Sequence, residues 1–338
     1  MELYGLNRAE LSSICDQLGQ PAFRGKQIAE WLYRSGVRSF DCMTNLPAAL
    51  RDKLNQTSTI TRSEIVKRSE SADKTAKYLL KMADGQTIES VLLPYPDRIS
   101  VCVSTQIGCP VGCVFCATAM CGFVRNLSAG EIVDQVSALQ QQAGRRVTHV
   151  VMMGMGEPLL NFDNVVKALH LLNDELGIGM RKMTVSTVGI APAIDRLRDL
   201  DLQITLAVSL HTPDDDLRRR LIPIADKYPL VTLMQSCREY TQHTKRKITF
   251  EYLMLADVND SQPQAMELAA LLQHTLCNVN LIPFNEVEGL PYRRPNRAAI
   301  EAFRKVLEDN GIEVTQRMER GRPISAACGQ LRRRQLSS

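Results

Sequence analysis

From about residue 98 onward, short apolar runs alternate with longer amphipathic stretches. The apolar runs predict buried strands and the amphipathic stretches predict helices. Beyond a first strand near residue 98, the apolar runs lie at residues 147–153, 183–187, 203–210, 248–255 and 278–283, with a last strand expected at 313–318. Six strand–helix units with buried strands predict an α/β fold, a partial (β/α)6 barrel over residues 98–338.

Residues 59–97 have a different pattern. Short runs rich in Ile, Val, Leu and Tyr are separated by turn sequences at residues 71–73 and 83–85, which predicts an extension of antiparallel strands. Glu89 lies among apolar neighbours in one of these runs. A carboxylate in that setting is normally the outward residue of an alternating strand, so we expect an exposed Glu89 from the pattern alone.

Residues 1–58 predict a small helical domain. Asn7 is placed to cap a first helix, and a second helix runs from Phe23 towards Gly36. Four apolar residues of the second helix are expected to face inward: Phe23, Ile28, Trp31 and Leu32. Several arginines and a lysine decorate this helix. They form either a solvated face or a patch that contacts RNA.

The composition excludes a disordered, a fibrous and a membrane protein. Among 338 residues, 44% are hydrophobic and 23% are charged, as in ordinary globular chains, and the net charge of +4 does not by itself imply nucleic acid. The chain opens without a signal-like segment, and its apolar runs are shorter than a membrane span. We therefore expect a cytoplasmic protein whose ten cysteines stay reduced.

Four basic clusters occur along the chain: Arg218–Arg220, Lys245–Lys247, Arg293–Arg294 and Arg332–Arg334. They are either solvated faces or, if they converge on the barrel mouth, a surface that binds RNA phosphates.

Three cysteines stand close together after the first barrel strand. Cys109, Cys113 and Cys116 have Cys-x3-Cys-x2-Cys spacing. A 4Fe-4S cluster normally takes four cysteines, so three leave one iron open to chelate the amino and carboxylate groups of S-adenosylmethionine (SAM). A structural zinc site is the alternative. Such a site needs four ligands, and Cys121 can supply the fourth.

Polar residues follow the other predicted strands. The carboxyl ends of barrel strands meet at one face, where barrel enzymes place their chemistry. The residues at these ends are Gly156, Glu157, Ser186, Thr187, Ser209, His211 and Asn285. Each alone is a plausible cap or turn former, and His211 alone is more typical of a hydrogen-bonded scaffold than of a base. Together they are suited to hold the ribose, carboxylate and adenine of one nucleoside cofactor.

Six motifs occur in order between residues 102 and 331, within a resemblance that extends from about residue 20 to 331: CVSTQIGCPVGCVFC, GFVRNLSAGEI, VVMMGMGEPLLN, VSLH, NLIPFN and ISAACGQL. With them the chain resembles the radical SAM methyltransferases that modify an adenosine in RNA. It is most similar to the dual-specificity enzymes that methylate carbon 2 of adenosine in the peptidyl transferase centre of 23S rRNA and of the adenosine 3′ of the anticodon in some tRNAs.

The resemblance implies roles for individual residues. For the cofactor it implies that Gly156 and Glu157 contact the methionine part of SAM and Ser186 its carboxylate region. Residues Ser209, Leu210 and His211 would contact the nucleoside, and Asn285 the adenosyl end. Cys121 and the Arg332–Arg334 tail have no role in this pattern.

The resemblance also implies a mechanism with two SAM molecules per turnover. Cys328 takes a methyl group from one SAM, and a 5′-deoxyadenosyl radical from the second removes hydrogen from that methyl group. The resulting radical adds to the base. Glu89 then accepts the ring proton, and Cys102 attacks the sulfur of Cys328 to give a transient disulfide.

Two alternatives remain from the sequence. A related antibiotic-resistance enzyme shares the cysteines and methylates carbon 8 of the same ribosomal adenosine. An iron–sulfur protein that binds RNA or senses redox state without catalysis is the alternative outside the enzymes. In the leading interpretation the partners are 23S rRNA, tRNA and a one-electron reductase that the sequence does not identify. We expect a monomer that does not associate with membranes.

Overall fold

A computed structural model describes residues 1–287, 289–316, 320–321 and 324–331. The helices in this part of the chain are α1 Arg8–Gln17, α2 Phe23–Ala29, α3 Ala48–Thr57, α4 Ala129–Ala143, α5 Phe162–Asp174, α6 Ala191–Asp199, α7 Asp215–Leu221, α8 Leu230–Thr244, α9 Gln262–Leu272 and α10 Arg297–Asp309. None of the helices in these ranges is both long and apolar enough to cross a bilayer.

Twelve strands are present in the same ranges: β1 Glu64–Glu70, β2 Ala76–Lys81, β3 Thr87–Pro94, β4 Ile99–Cys102, β5 Gln106–Gly108, β6 Phe123–Asn126, β7 His149–Met152, β8 Met183–Thr187, β9 Thr205–Ser209, β10 Ile248–Met254, β11 Cys277–Pro283 and β12 Val314–Gln316. The last one confirms the strand expected at 313–318 over its described part; residues 317 and 318 lie outside the described residues.

One sheet of ten strands organises the molecule, in the order β1-β2-β3-β4-β7-β8-β9-β10-β11-β12. From β4 onward in this order, each strand pairs in parallel with the next, and helices connect them. This confirms the predicted partial barrel with six strand–helix units. Because parallel strands end at one edge, the segments that follow β4, β7, β8, β9, β10 and β11 meet there.

The antiparallel strands predicted upstream are also present. β1 to β4 form a meander, and β4 then pairs in parallel with β7, so extension and barrel share one continuous sheet. In the register of this sheet Lys77 lies opposite Val91, and Val91 lies opposite Cys102. Since residues directly opposite each other share a face, these three side chains lie in one row across three strands.

The N-terminal segment folds as the sequence predicts, with one error. Asn7 and Glu10 form a capping box at the start of α1, and the second helix continues past α2 as a π-helical turn that ends at Gly36 in the left-handed conformation. The inward placement of Phe23 was wrong. As the first residue of α2 it is 55% exposed, and the Arg24 guanidinium lies over its ring at 4.7 Å.

The described basic clusters do not all lie at the barrel mouth. Lys245–Lys247 lie between α8 and the start of β10, at the amino end of that strand and away from the edge where the strands end. Arg218 is completely buried, whereas Arg219 and Arg220 are exposed. Arg293 lies on the mouth side, where it pairs with Asp257 after β10. The Arg332–Arg334 tail lies outside the described residues.

Candidate active site

The cysteine loop is closed by a small hairpin that sequence patterns did not reveal. β5 and β6 pair in antiparallel fashion on either side of residues 109–122. Gly108 has a φ of +76°, and a Cβ atom there would collide with the carbonyl oxygen of Gly122. A glycine is therefore needed for the two arms to approach each other at the base of the loop. Beneath the loop, an apolar cluster supports it, including Val111, Phe115, Leu221, Ile222 and Phe284.

The three cysteines of the loop line one cavity at the carboxyl ends of the barrel strands. This first cavity has a volume of about 1020 Å³ with its open mouth, and Cys109, Cys113 and Cys116 all contribute to its wall. Burial raises the pKa of the Cys109 thiol to about 12 and that of Cys113 well above its usual range. Such thiols ionise only when a cation binds them, as metal ligands do.

The donor set fits a 4Fe-4S cluster. Among the described residues, no three His, Cys, Asp or Glu side chains are close enough to share one metal ion. A cubane does not require that closeness, because each of the three thiolates binds a different iron. Cys121 does not contribute to the wall of the first cavity, and its thiol donates to the Ala117 carbonyl at 3.8 Å.

The predicted residues after three barrel strands meet in the first cavity. Its wall includes Gly156, Glu157, Ser186, Thr187, Ser209 and His211. Gly156 has a φ of +101°, and a Cβ atom there would lie 2.5 Å from the Cβ atom of Gln106. Glycine thus allows the segment after β7 to pack against β5 and to present its backbone to a ligand. Leu210 lines neither this cavity nor the second one described below, and its side chain is wholly buried.

Glu157 ties two strand ends together. Its carboxylate accepts hydrogen bonds from the backbone N–H groups of Leu159, at 2.9 Å, and Val188, at 2.8 Å. The side chain is almost fully buried. Burial raises the pKa of Glu157 to about 7, because desolvation outweighs the stabilisation that these hydrogen bonds give to the charged form.

His211 is held as a neutral ring. Its Nδ1 atom accepts a hydrogen bond from the Leu253 backbone N–H at 3.0 Å, and its ring forms a T-shaped contact with that of Phe115. Burial, with a smaller contribution from the Arg218 cation, lowers the pKa of His211 to about 3. A ring that is neutral at physiological pH and bonded to backbone matches the scaffold interpretation better than a role as general base.

A second cavity adjoins the first and has a volume of about 610 Å³ with its open mouth. Cys102, Tyr95 and Asn285 line it, and Cys328 lines both cavities. The Asn285 amide oxygen is buried and has no hydrogen-bond partner among the described residues. Because an orphaned buried acceptor is costly, this oxygen indicates a place where a ligand supplies a donor.

The segment that carries Cys328 is docked against the cysteine loop. The Ala117 backbone N–H donates to the Gly329 carbonyl at 2.8 Å, and the Thr118 hydroxyl donates to the Leu331 carbonyl at 2.6 Å. The Gln330 amide also donates to the Glu286 carbonyl at 3.1 Å. These contacts fix the Cys328 thiol between the two cavities.

Glu89 is buried, contrary to the expectation of an outward strand residue. Only 1% of it is exposed, and its carboxylate lies 3.0 Å from the Lys77 ammonium. By strand alternation it shares a face with Val91 and Leu93, which line the second cavity. The sheet pattern could not predict the burial, since β3 is an interior strand whose face is covered by the distant Cys328 segment.

Sequence reasoning also missed Arg218. We expected an exposed basic triplet, yet the Arg218 guanidinium donates to the Val188 carbonyl at 2.6 Å, to the Tyr228 carbonyl at 3.3 Å and to the Ser209 carbonyl at 3.5 Å. It joins the loops that follow β8 and β9 behind the first cavity. A single arginine among three in a row carries no sequence signal that separates it from its exposed neighbours.

Comparison with known proteins identifies the family. The model described as "Radical SAM superfamily" matches residues 103–269, and the "Ribosomal RNA large subunit methyltransferase N-terminal domain" model matches residues 1–60. Two curated relatives are each called "Probable dual-specificity RNA methyltransferase RlmN". The Gloeobacter violaceus protein is 50% identical over 99% of this chain and 96% of its own length, and that of Microcystis aeruginosa is 49% identical over 98% of each.

A solved structure agrees with these relatives. The crystal structure of a radical SAM methyltransferase from Sphaerobacter thermophilus matches with a TM-score of 0.93 and 46% identity, over 98% of this chain and 99% of that one. Membership of the radical SAM superfamily implies a 4Fe-4S cluster and SAM, for which the first cavity supplies three cysteines and polar strand ends. The chain therefore belongs to the RlmN family of dual-specificity radical SAM RNA methyltransferases.

Proposed function

We propose that the protein methylates carbon 2 of an adenosine in the peptidyl transferase centre of 23S rRNA and of the adenosine 3′ of the anticodon in tRNA. The observation that carries the proposal is the position of Cys328 in the walls of both cavities. One thiol thereby faces the cluster cysteines on one side and Cys102 on the other. This is the arrangement needed by a cysteine that carries a methyl group from cofactor to base.

Residues of the first cavity would hold the cofactors. Cys109, Cys113 and Cys116 would bind the cluster, and the strand-end residues Gly156, Ser186 and Ser209 would contact SAM. Cluster and SAM together supply the radical that activates the methyl group, and two SAM molecules are used per turnover. Asn285, whose unsatisfied amide oxygen lies in the wall of the adjoining second cavity, would receive a donor from the adenosyl end.

Cysteine chemistry follows from the reactivity of the base. Carbon 2 of adenine is electron-poor and has no lone pair to attack a sulfonium. A methyl group therefore cannot pass directly from SAM to this carbon by a polar reaction. The Cys328 thiolate instead forms the sulfur–methyl bond while the sulfonium–methyl bond breaks. This requires the ionised thiol. RNA must present the adenine unstacked in the second cavity, as enzymes that act on nucleobases require.

Release from the base needs two further residues. Glu89 accepts the proton from the ring carbon, and the Cys102 thiolate attacks the Cys328 sulfur. The adduct formed by radical addition must also give up one electron, for which the cluster would be the acceptor. The bond from the Cys328 sulfur to the base-linked carbon breaks as the disulfide forms, and its electron pair stays on that carbon, which takes up a proton to become the methyl group. Thiol reductants then return both cysteines to thiols. Cys102 is on β4 directly opposite Val91, which places its thiol in the wall of the same cavity as Cys328.

The test of the reaction is anaerobic reconstitution with iron and sulfide, followed by incubation with SAM, reductant and a 23S rRNA fragment or tRNA. Nucleoside mass spectrometry should find 2-methyladenosine together with 5′-deoxyadenosine. A product only at carbon 8 would replace the proposal by the antibiotic-resistance activity. Formation of 5′-deoxyadenosine without any methylated base would keep the cofactor chemistry and reject the RNA substrates.

The roles of the two cysteines are tested separately. Cys102→Ala should leave the methylation of Cys328 intact and trap protein covalently attached to RNA, because the attacking thiol is gone. Cys328→Ala should abolish both the methylated peptide and the attachment. Denaturing gels and peptide mass spectrometry measure these species. Normal turnover by Cys102→Ala would exclude the resolving role, and Cys42→Ala, an exposed cysteine of the N-terminal segment, is the control.

The cellular setting of the reaction follows from its chemistry. RNA substrates and reduced thiols are both available in the cytoplasm, where we expect the protein to act as a monomer. One electron per radical event must come from a reductase.

A further inference from the structure

Lys77 is a buried cation in the same row of the sheet as two residues that line the second cavity. It stands at the end of the row that continues through Val91 to Cys102, and only 6% of its side chain is exposed. The face of the sheet that holds this row is the one that the Cys328 segment covers, since Val91, Cys102 and Cys328 line the same cavity. Lys77 therefore points towards the segment that carries the methyl-accepting cysteine.

The ammonium of Lys77 bridges two different parts of the molecule. Its Nζ atom lies 3.0 Å from a carboxylate oxygen of Glu89, and it also donates to the Ser325 carbonyl at 3.0 Å. Glu89 is diagonal to Lys77 in the β2–β3 register, within reach of a long side chain. Ser325 lies three residues before Cys328 along the chain. One amine thus contacts both the carboxylate and the cysteine segment.

Two observations indicate that this bridge has a purpose beyond stability. Burying a lysine and a glutamate together brings little net stabilisation, because desolvation offsets the attraction between them. Ser325 has a φ of +52°, a left-handed conformation that is unfavourable for residues other than glycine. Such a conformation persists where surrounding contacts enforce it, and the Lys77 hydrogen bond to the Ser325 carbonyl is one of them.

We propose that Lys77 is a positioning residue that fixes the Glu89 carboxylate and the Cys328 segment relative to each other. This inference rests on the proposed function, in which Glu89 accepts the ring proton while Cys328 holds the base. A proton acceptor must lie within hydrogen-bond reach of the proton that it removes. Because the Glu89 carboxylate and the Ser325 carbonyl both bond to the Lys77 ammonium, the carboxylate is held near the base that is attached to Cys328.

The main test follows the release of RNA from the reconstituted enzyme in a single turnover. Lys77→Met should slow the loss of the protein–RNA adduct by roughly tenfold or more, which is a part of the roughly 10²–10⁴-fold that a positioned general base contributes. Lys77→Arg, which keeps the charge and the donors, should recover most of the rate. The double variant Lys77→Met/Glu89→Gln should be no slower than Glu89→Gln alone, because both substitutions remove the same step. Lys67→Met, at an exposed position on β1, is the matched control.

A second test needs no RNA. In the reconstituted enzyme, iodoacetamide should alkylate Cys328 several-fold faster in Lys77→Met than in the parent protein or Lys67→Met, since the segment has lost an anchor. If Lys77→Met does not fold, Lys77→Gln replaces it in the release test, because it removes the charge while its amide keeps a donor in the buried site.

The possible outcomes separate the inference from the proposed function. Any of four results would overturn the role of Lys77. They are RNA release from Lys77→Met at the parent rate, unchanged alkylation of Cys328, multiplicative effects on the release rate in the double variant, and a release rate in Lys77→Arg as low as in Lys77→Met. If the parent enzyme forms no methylated adenosine on either RNA, the proposed function fails and the inference falls with it. If the parent is active and Lys77→Met equals it, only the inference fails.

Discussion

Glu157 makes the stability of the cofactor-free protein depend on pH in an unusual direction. Most carboxylates lose stabilising contacts as the pH falls, but burial raises the pKa of Glu157 from its ordinary value of 4.5 to about 7. The folded chain therefore binds the proton more tightly than the unfolded chain. The contribution of this group to the free energy of unfolding is fully present below pH 4.5 and is lost as the pH rises through about 7.

The size of the effect follows from the two pKa values. Their difference corresponds to roughly 3 kcal/mol of unfolding free energy between the protonated and ionised limits. In Glu157→Gln, position 157 no longer titrates. The unfolding free energy of the parent minus that of the variant should thus fall by about 3 kcal/mol from pH 4.5 to pH 8.

The assay is urea unfolding followed by circular dichroism, in anaerobic buffer with a thiol reductant, at several pH values. The glutamine amide offers one acceptor where the carboxylate offers two, so the variant loses a constant amount at every pH. Only the change of the difference with pH reports on the titration. Glu64→Gln, at an exposed position on β1, should show no such change. If the parent and Glu157→Gln have parallel pH dependences, the assignment of a raised pKa to Glu157 is refuted.

Two further substitutions test the framework of the first cavity. Gly156→Ala should destabilise the protein by roughly 2 kcal/mol and weaken SAM binding, because its φ of +101° is strained for alanine and its Cβ atom meets β5. Gly179→Ala, where a Cβ atom meets nothing within 4 Å, is the control, and equal thermal stabilities of the two variants would contradict the prediction. Arg218→Lys should cost about 2 kcal/mol through lost hydrogen bonds to carbonyls, measured by urea unfolding. Arg219→Lys on the exposed side of α7 should cost almost nothing, and a similar loss in both would show that the buried contacts contribute little.

Much of the fold could be predicted because its signals are local. The capping box at Asn7, the left-handed glycine that ends the second helix, and the alternation of apolar runs with amphipathic stretches are each written within a few residues. The hairpin of β5 and β6 escaped prediction because its strands are very short and leave no periodic pattern. Phe23 was placed inward because a first-turn residue carries the same helical spacing whether or not the neighbouring chain covers it.

The same distinction between local signals and long-range contacts applies to the candidate site. Cysteine spacing and the polar residues after each strand located the first cavity, since the ends of parallel strands meet at one edge whatever their detailed packing. The sequence did not predict that Asn285 belongs to a second cavity, or that Cys328 lines both. Those facts depend on how a C-terminal segment returns across the sheet.

By itself the sequence determined the barrel, the order of its units and the residues that reach its mouth. Only the tertiary structure decided which charged groups are buried. Glu89, Lys77 and Arg218 look like solvent-facing residues in the chain, yet all three are buried against segments far away in sequence. Periodicity reports the two faces of a strand or helix, but the covering of a face depends on contacts between distant residues. Burial then decides the charge state, the hydrogen bonds and hence the chemistry that each group can perform.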